Sequence, residues 1–393
     1  MSTWPIKELA HVATILRIGI NPRDIDGDTK YVGLENIESG GRIINVSAAE
    51  AAGIESQKYQ FTADHILYGK LRPYLAKIAR PNFGGVCSTD ILPIEPSPAI
   101  DRNYLCHFLS QPSMISKANA RATGVNLPRI NPAELGKFTV PVPPIAVQRR
   151  IAEVLDHVDA LREKRRKSIA LLDDLAQSIF LDMFGDSHGR HRGWPVRPAG
   201  EFLDFLTSGS RGWARYYSDT SDSLFIRIQN VRKDELVLDD IAYVDPPKSA
   251  EAERTRVQPG DVLLSITADL GRTAVVPSNI GPAYINQHLA ILRTRQVEPQ
   301  YLSSYIASPS GQTQLLRRNR QGVKAGLNFN DIRSLLIPIP PTSYQKKYVE
   351  TLAECRDTRA RLAESLTHLD TLFSSIQSRA FRGELWQDDL KDL

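Results

Sequence analysis

Displaced by 197 positions, this chain falls onto itself. Residues 131–184 then lie over residues 328–381 without a gap, and fifteen positions are identical. The pairs include Asn131/Asn328, Pro141/Pro338, Pro143/Pro340, Pro144/Pro341, Gln148/Gln345, Leu172/Leu369, Leu175/Leu372, Ile179/Ile376 and Phe184/Phe381. Weaker echoes sit upstream at slightly different shifts. Trp4-Pro5 returns as Trp194-Pro195, and Val32-Gly33-Leu34-Glu35-Asn36-Ile37 returns as Ile226-Arg227-Ile228-Gln229-Asn230-Val231. Tyr104-Leu105 returns as Tyr301-Leu302. Two helices of similar composition would not keep these upstream echoes in order. A repeat of this kind means one structural unit used twice, and any fold proposed for the chain has to contain it twice.

Each copy has the same internal order. A long segment carries short β-branched and aromatic runs broken by Gly and Pro, such as residues 64–79 and 261–276, which read as strands and loops with a few short helices. A proline joint follows, Pro141-Val142-Pro143-Pro144 or Pro338-Ile339-Pro340-Pro341. Proline removes a backbone donor and biases its predecessor away from helix, so a stiff extended joint is expected. Beyond it a helical pattern runs free of Pro and Gly over residues 147–184 and 343–381.

Seven-residue spacing marks these helices. Ile151, Val158, Leu172 and Ile179 occupy one core position of the first, and Val154, Leu161 and Leu175 the second, with Arg165 and Ser168 interrupting the stripe midway. Tyr348, Cys355, Leu362, Leu369 and Ile376, with Leu372, do the same in the second helix. A sustained 3.5-residue repeat argues for a coiled coil; a long amphipathic helix packed on its own domain is the alternative. A helix of roughly 36 residues reaches about 54 Å. The expected fold class is α+β: two tandem mixed α/β domains, each followed by a long helix, the helices pairing as an antiparallel coiled coil with pseudo-twofold symmetry. Expected boundaries are 1–144 and 194–341 for the domains, 145–185 and 342–385 for the helices, 186–193 for a linker and 386–393 for a tail. Antiparallel pairing would also bring the second helix to its end beside the start of the first copy.

Composition narrows the function. Hydrophobic residues make up 41% and charged residues 24%, as in ordinary globular proteins. Cys87, Cys106 and Cys355 are far apart, which excludes a disulfide framework and a cysteine-rich zinc site and fits a reducing cytoplasm. No apolar run approaches the roughly 18 residues that span a bilayer, and no secretion signal opens the chain, so no membrane association is expected. Net charge is only +4, so any nucleic-acid surface has to be local.

The whole pattern resembles the specificity subunit of Type I restriction-modification enzymes. The motifs that carry the resemblance are Leu67-Tyr68-Gly69-Lys70-Leu71-Arg72-Pro73-Tyr74-Leu75, then Cys87-Ser88-Thr89-Asp90-Ile91-Leu92, and the two proline joints followed by Gln148 and Gln345. It implies two target-recognition domains separated by spacer helices. It further implies a non-catalytic DNA reader of an asymmetric, bipartite target, serving a restriction endonuclease/DNA adenine methyltransferase complex. The implied partners are double-stranded DNA, two methyltransferase subunits and ATP-dependent restriction subunits. The second copy departs from the first where Lys70–Tyr74 would fall, reading Ile266-Thr267-Ala268-Asp269-Leu270, so contact details do not transfer between copies.

The residues give independent reasons for DNA contact. Phosphate affinity needs local Lys and Arg, and base reading needs fixed donor and acceptor geometry. Arg317-Arg318-Asn319-Arg320-Gln321-Gly322-Val323-Lys324 packs four cations, an Asn and a Gln into eight residues without an acid. Arg121, Asn126 and Arg129 form a milder counterpart in the first copy. Arg can pair bidentately with guanine and Asn or Gln with adenine. Lys70, Arg72 and Tyr74 are expected to alternate along a strand and share one face. Arg272 and the run Asn286-Gln287-His288 are further candidates. Exposed loops of ordinary solvated character are the bland alternative for any one of these.

Enzyme readings fail. Phe83-Gly84-Gly85 lacks the spacing of a cofactor loop, and Asp245-Pro246-Pro247 is followed by Lys248 instead of an aromatic. No phosphate-binding loop motif is present. His188 and His191 sit in a Gly-containing linker and read as solvated, not metal-ligating. No catalytic residue, metal or cofactor is expected. A coiled-coil scaffold that binds only proteins is the competing function; it has no use for basic Gly-containing loops at matching places in both copies.

Overall fold

A computed structural model describes residues 4–185, 193–319 and 326–385. The chain divides into two units, residues 1–166 with 364–393, and residues 167–363. Both divisions fall inside the long helices, which span Ile145–Phe184 and Thr342–Phe381. Each unit therefore holds one mixed domain, the start of the helix that follows it and the end of the other helix.

In the first unit the strand Ile91–Pro96 lies between Ala13–Ile15 and Ile66–Gly69 in an antiparallel sheet, with Ile78–Ala79 beyond. Ile91, Leu92 and Ile94 are fully buried, which explains why this run does not alternate with polar residues. A second, mixed sheet joins Gly19–Ile20, Lys58–Phe61, Gly85–Cys87, Lys30–Val32 and Ser47–Ala48, and contains one parallel pair. Ile6–Glu8 pairs with Thr139–Pro141 and closes the domain.

The second unit repeats this order. Leu289–Thr294 lies between Leu203–Ser208 and Val262–Ser265, with Thr273–Val275 beyond. Leu224–Ile226 and Ala283–Ile285 form the parallel pair, and Val196–Pro198 closes on Leu336–Pro338. Among the described residues the second sheet differs between the copies, with five strands in one and three in the other.

The repeated residues are those that fasten helix to domain. Gln148 is fully buried; its Oε1 accepts from the Asp101 N–H (2.8 Å) and its Nε2 donates to the carbonyls of Pro143 (2.8 Å) and Ala99 (3.1 Å). Gln345 does the same with the Glu298 N–H (2.9 Å) and the Pro340 carbonyl (2.7 Å). Tyr104 and Tyr301 donate to the carbonyls of Pro141 (2.9 Å) and Pro338 (2.8 Å). The Pro5 and Pro195 carbonyls accept from Val142 and Ile339, so the two Trp-Pro echoes are one end of the same joint. Asn131 and Asn328 cap the short helices that lead into it, each at 2.9 Å.

Each domain core is completed by the far end of the other helix. Phe381 packs on Tyr104 and Phe108, with ring centroids 5.1 and 5.3 Å away. Phe184 packs on Tyr301 at 4.7 Å and Tyr348 at 5.3 Å. Within each unit the two helix segments pack together through an equivalent ion pair: Arg162 to Asp370 (2.6 Å) in the first, Arg359 to Asp173 (2.5 Å) in the second. These four residues are two of the identical pairs. Trp4 and Leu385, at the described ends of the chain, both pack against the first core.

Burial along the helices follows the domains more than a seven-residue seam. Ile151, Val158 and Tyr348 are buried, and Val154, Leu172, Ile179, Cys355, Leu362, Leu369 and Ile376 are half-buried. Leu161, Leu175 and Leu372 correct the expectation: they are 38%, 44% and 47% exposed and are not core residues. The seven-residue spacing also misses Leu155 and Leu352, which are buried. A helix lying on a sheet domain covers a face with 3.6-residue periodicity, here Val147, Gln148, Ile151, Ala152 and Leu155.

Gln148→Ala is expected to leave the Asp101 N–H and two carbonyls unpaired and to cost about 1–3 kcal/mol for each group that water cannot reach. Denaturant unfolding would measure it, and a loss within error of zero would mean that the side chain fastens nothing. Asp156 offers a second test. Burial alone would raise its carboxyl, but hydrogen bonds from His107 and Arg80, each 2.7 Å, override it and hold the pKa down to about 2. A depressed carboxyl stabilises the fold above its ordinary value near 4 and loses that effect as pH falls toward 2. The unfolding midpoint of the wild type should fall across this window more steeply than that of Asp156→Asn.

Candidate nucleic-acid interface

In the first unit three segments converge at the end of the four-stranded sheet. After Ile66–Gly69 the chain leaves the strand, and Leu71 bridges to Arg129 at the edge of the hairpin Ala122–Thr123/Arg129–Ile130. The Lys70 carbonyl accepts from the Ile130 N–H (3.0 Å), and the Arg72 N–H donates to the Pro128 carbonyl (2.7 Å). Arg72 has φ +50, in the left-handed region that residues with a Cβ seldom occupy, and it opens the turn Pro73–Leu75. This corrects the expectation that Lys70, Arg72 and Tyr74 alternate along a strand. Their common neighbourhood comes from a turn, locked by main-chain bonds to the hairpin.

The charges in this patch are unequal. Asp90 receives Arg129 through two bonds (2.9 and 3.1 Å) and lies 3.8 Å from the Lys70 Nζ. Arg121 is 3.7 Å from Glu134 and lies over the Phe138 ring at 5.5 Å. Arg72, by contrast, is exposed and has no ionic partner among the described residues. Tyr74 is 51% exposed, and Asn126 stands on the exposed loop between the hairpin strands. Cation spacing does not register Asp90, which is an acid; the motif Cys87-Ser88-Thr89-Asp90-Ile91-Leu92, running into the buried strand that begins at Ile91, is its sequence signal.

The second unit keeps the backbone and changes the side chains. Thr267 bridges to Gly326 as Leu71 does to Arg129, and Ala268 has φ +64 where Arg72 has +50. In place of Asp90 stands His288, whose Nδ1 is hydrogen-bonded to the Thr267 hydroxyl (2.6 Å) and whose Nε2 faces Gln287 (3.1 Å). Sequence reasoning did not single out Thr267 as a contact residue, although His288 stands in the Asn286-Gln287-His288 run that it did. Asn286 is corrected as a contact residue: it is 9% exposed, and its Oδ1 accepts from the His288 N–H, so it shapes the turn from inside. Gln287 is half-buried beside it. Arg272 is spent on Asp269 and the Val231 carbonyl.

Arg317 and Arg318 close the helix Pro309–Arg318, so they stand on a last helical turn and not on the expected loop. Arg318 is held by Ser334 (2.9 Å to the hydroxyl, 2.8 Å to the carbonyl), whereas Arg317 is exposed. Cations at a helix C-terminus also complement its dipole. Arg320 and Lys324 lie outside the described residues, as do His188 and His191. Among the described residues no group of His, Cys, Asp or Glu is arranged to hold a metal ion, and no helix is long and apolar enough to cross a membrane.

Two sheet domains of one topology, each delivering an exposed turn and leading into a long helix, give a duplicated frame whose turn residues differ between the copies. The family model of the Type I restriction modification DNA specificity domain matches residues 1–171 and 227–366, and the chain belongs to that family. The EcoKI specificity subunit of Escherichia coli strain K12 is 25% identical over 340 residues, 79% of this chain and 71% of that protein. The Escherichia coli EcoDI specificity subunit is 28% identical over 188 residues, 47% of this chain, and the match spans less than half of that protein, 42%. Among solved structures, the Type I restriction-modification S subunit from M. genitalium matches with TM-score 0.60 and 12% identity, covering 96% of both chains. A chain from a structure of type I restriction-modification complex assembly matches with TM-score 0.60 and 21% identity, covering 97% of this chain and 98% of that one.

The geometry separates Arg72 from the framework. Arg72→Ala is expected to change unfolding free energy by less than about 0.5 kcal/mol, as for a surface side chain without partners. Asp90→Ala, which strands Lys70 and Arg129, should cost about 1 kcal/mol. Equal losses in denaturant unfolding would place Arg72 in the framework after all.

Proposed function

We propose that this chain is the DNA-reading subunit of a Type I restriction-modification assembly, and that it reads an asymmetric bipartite target with one half-site per unit. The observation that carries the reading is the shared turn with unlike side chains: Lys70, Arg72, Asp90 and Arg129 in one unit, Ile266, Ala268, His288 and Gly326 in the other. A common frame presents the turn in the same way twice, while base recognition depends on the donors and acceptors placed on it. The same two turns would therefore read different sequences.

In this reading Arg72 and Asn126 reach base edges, with Tyr74 beside them, while Lys70, Arg121 and Arg129 position the phosphates. The second unit uses Gln287, Arg317 and Arg318, with Arg272 at its margin and Arg320 and Lys324 from the adjoining sequence. The long helices separate the two half-sites. Two methyltransferase subunits and ATP-dependent restriction subunits are the partners and supply all catalysis; this chain needs no cofactor. The EcoKI and EcoDI relatives, both named as specificity subunits, support that division of labour.

Binding-site selection from random duplexes tests the reading, using the chain together with its methyltransferase partner. Two short, dissimilar motifs at a fixed separation are expected. One uninterrupted motif would mean that a single unit reads, and absence of enrichment would favour a protein-only scaffold. Within the recovered target, Arg72→Ala should cost about 1–3 kcal/mol at one base position of one half-site. Arg129→Ala should weaken binding to all sequences and lower the salt slope by about 1. If both variants behave alike, the division into reading and positioning residues is wrong.

A further inference from the structure

Both domains lean a hairpin on the helix that follows them. In the first unit the hairpin is closed by a bridge between Ile37 and Ile43, and its tip uses Gly40 and Gly41 in the left-handed region. Arg42, paired with Glu38, reaches Glu163 on the long helix at 3.2 Å. The second unit closes the same hairpin with a bridge between Val231 and Leu236. Here the tip residue is Asp234, with φ +60 in spite of its Cβ.

The Asp234 carboxylate accepts from Gln300 (2.9 Å to each oxygen), Ser303 (2.5 Å) and Ser304 (2.6 Å). Arg356, on the long helix, donates to the Asp234 carbonyl (2.8 Å) and lies 3.5 Å from its carboxylate. The other guanidinium nitrogen donates to the Gln300 Oε1 (2.7 Å), and the Tyr348 hydroxyl donates to Ser304 (2.9 Å). One turn further on, Glu235 faces Arg359 at 3.8 Å. Hairpin, domain helix and long helix are thus cross-braced around one residue, through both its carboxylate and its main-chain carbonyl.

The polarity is opposite in the two units: cation on the hairpin and acid on the helix in the first, acid on the hairpin and cation on the helix in the second. Different chemistry at one place points to the contact itself as the retained feature. Its mechanical effect is to fix how the domain leans on the helix. That angle matters for a bipartite reader, because one base pair added between half-sites moves the second by about 3.4 Å and turns it by about 34°. A hinged domain would follow such a change; a braced one would not.

We infer that Asp234 and Arg356 are positioning residues that fix the second domain on its helix and thereby set which spacer length between half-sites the protein accepts. The inference rests on the bipartite reading above. It goes beyond that reading in assigning spacer discrimination to this brace as well as to helix length.

The test uses the chain in complex with its methyltransferase partner and three duplexes, with the selected spacer and with one base pair fewer or more. The wild type should prefer the selected spacer by at least about tenfold. Asp234→Ala and Arg356→Ala should reduce that preference to about threefold or less while the base preferences of both half-sites persist. Arg356→Lys, which keeps the charge, should recover part of it. Arg356 is 45% exposed, so its variants remain readable if Asp234→Ala does not fold. Equal weakening on all three duplexes, or a lower melting temperature with an unchanged spacer profile, would reduce the brace to a structural contact and overturn the inference. A wild type without two motifs would instead refute the bipartite reading itself.

Discussion

The structure depends on how each long helix is held at its first turn. The first N–H groups of a helix have no partners within it, and a helix leaving a domain across a proline joint would otherwise pivot there. Gln148 and Gln345 restrain this from inside the core, at the first turn. Each accepts from the backbone at the start of a domain helix and donates to a proline carbonyl of the joint, so that domain helix, joint and long helix share one side chain. Tyr104 and Tyr301 tie the same joint through the proline carbonyls two residues earlier.

Because the helices are held at their starts, their ends can serve the other copy. Phe184 enters the core of the second domain and Phe381 that of the first, each against the tyrosine that also ties the joint. Neither core is therefore made by its own copy alone. The ion pairs Arg162–Asp370 and Arg359–Asp173 repeat the arrangement at the level of charge. Buried aromatic contacts of this kind carry far more weight than half-exposed ion pairs, so the phenylalanines contribute most to holding the ends.

The proposed reading surface occupies what the frame leaves free. The main-chain bonds that hold the turn at Arg72 do not depend on its side chain, and the corresponding turn of the second unit keeps its shape with alanine at that place. Asp90 and His288 show how far the same site diverges: one neutralises two cations, the other orders a hydroxyl and an amide. A frame that tolerates such exchange lets contact chemistry vary without refolding the domain.

By itself the amino-acid sequence determined the duplicated plan, the proline joints, the two long helices and the family, because these are written in local spacing and in residues that recur. Asn131/Asn328, Gln148/Gln345 and Phe184/Phe381 were all visible as repeats before any contact was known. The tertiary structure alone decided what covers each residue. Seven-residue spacing treats Leu161, Leu175 and Leu372 like their neighbours, yet all three remain exposed while Leu155 and Leu352 are buried, since burial depends on the domain lying against the helix. It also decided that Lys70, Arg72 and Tyr74 meet at a turn and that Asp90 neutralises part of the patch. Those facts rest on strands and hairpins brought together from distant parts of the chain, and local periodicity carries no record of them.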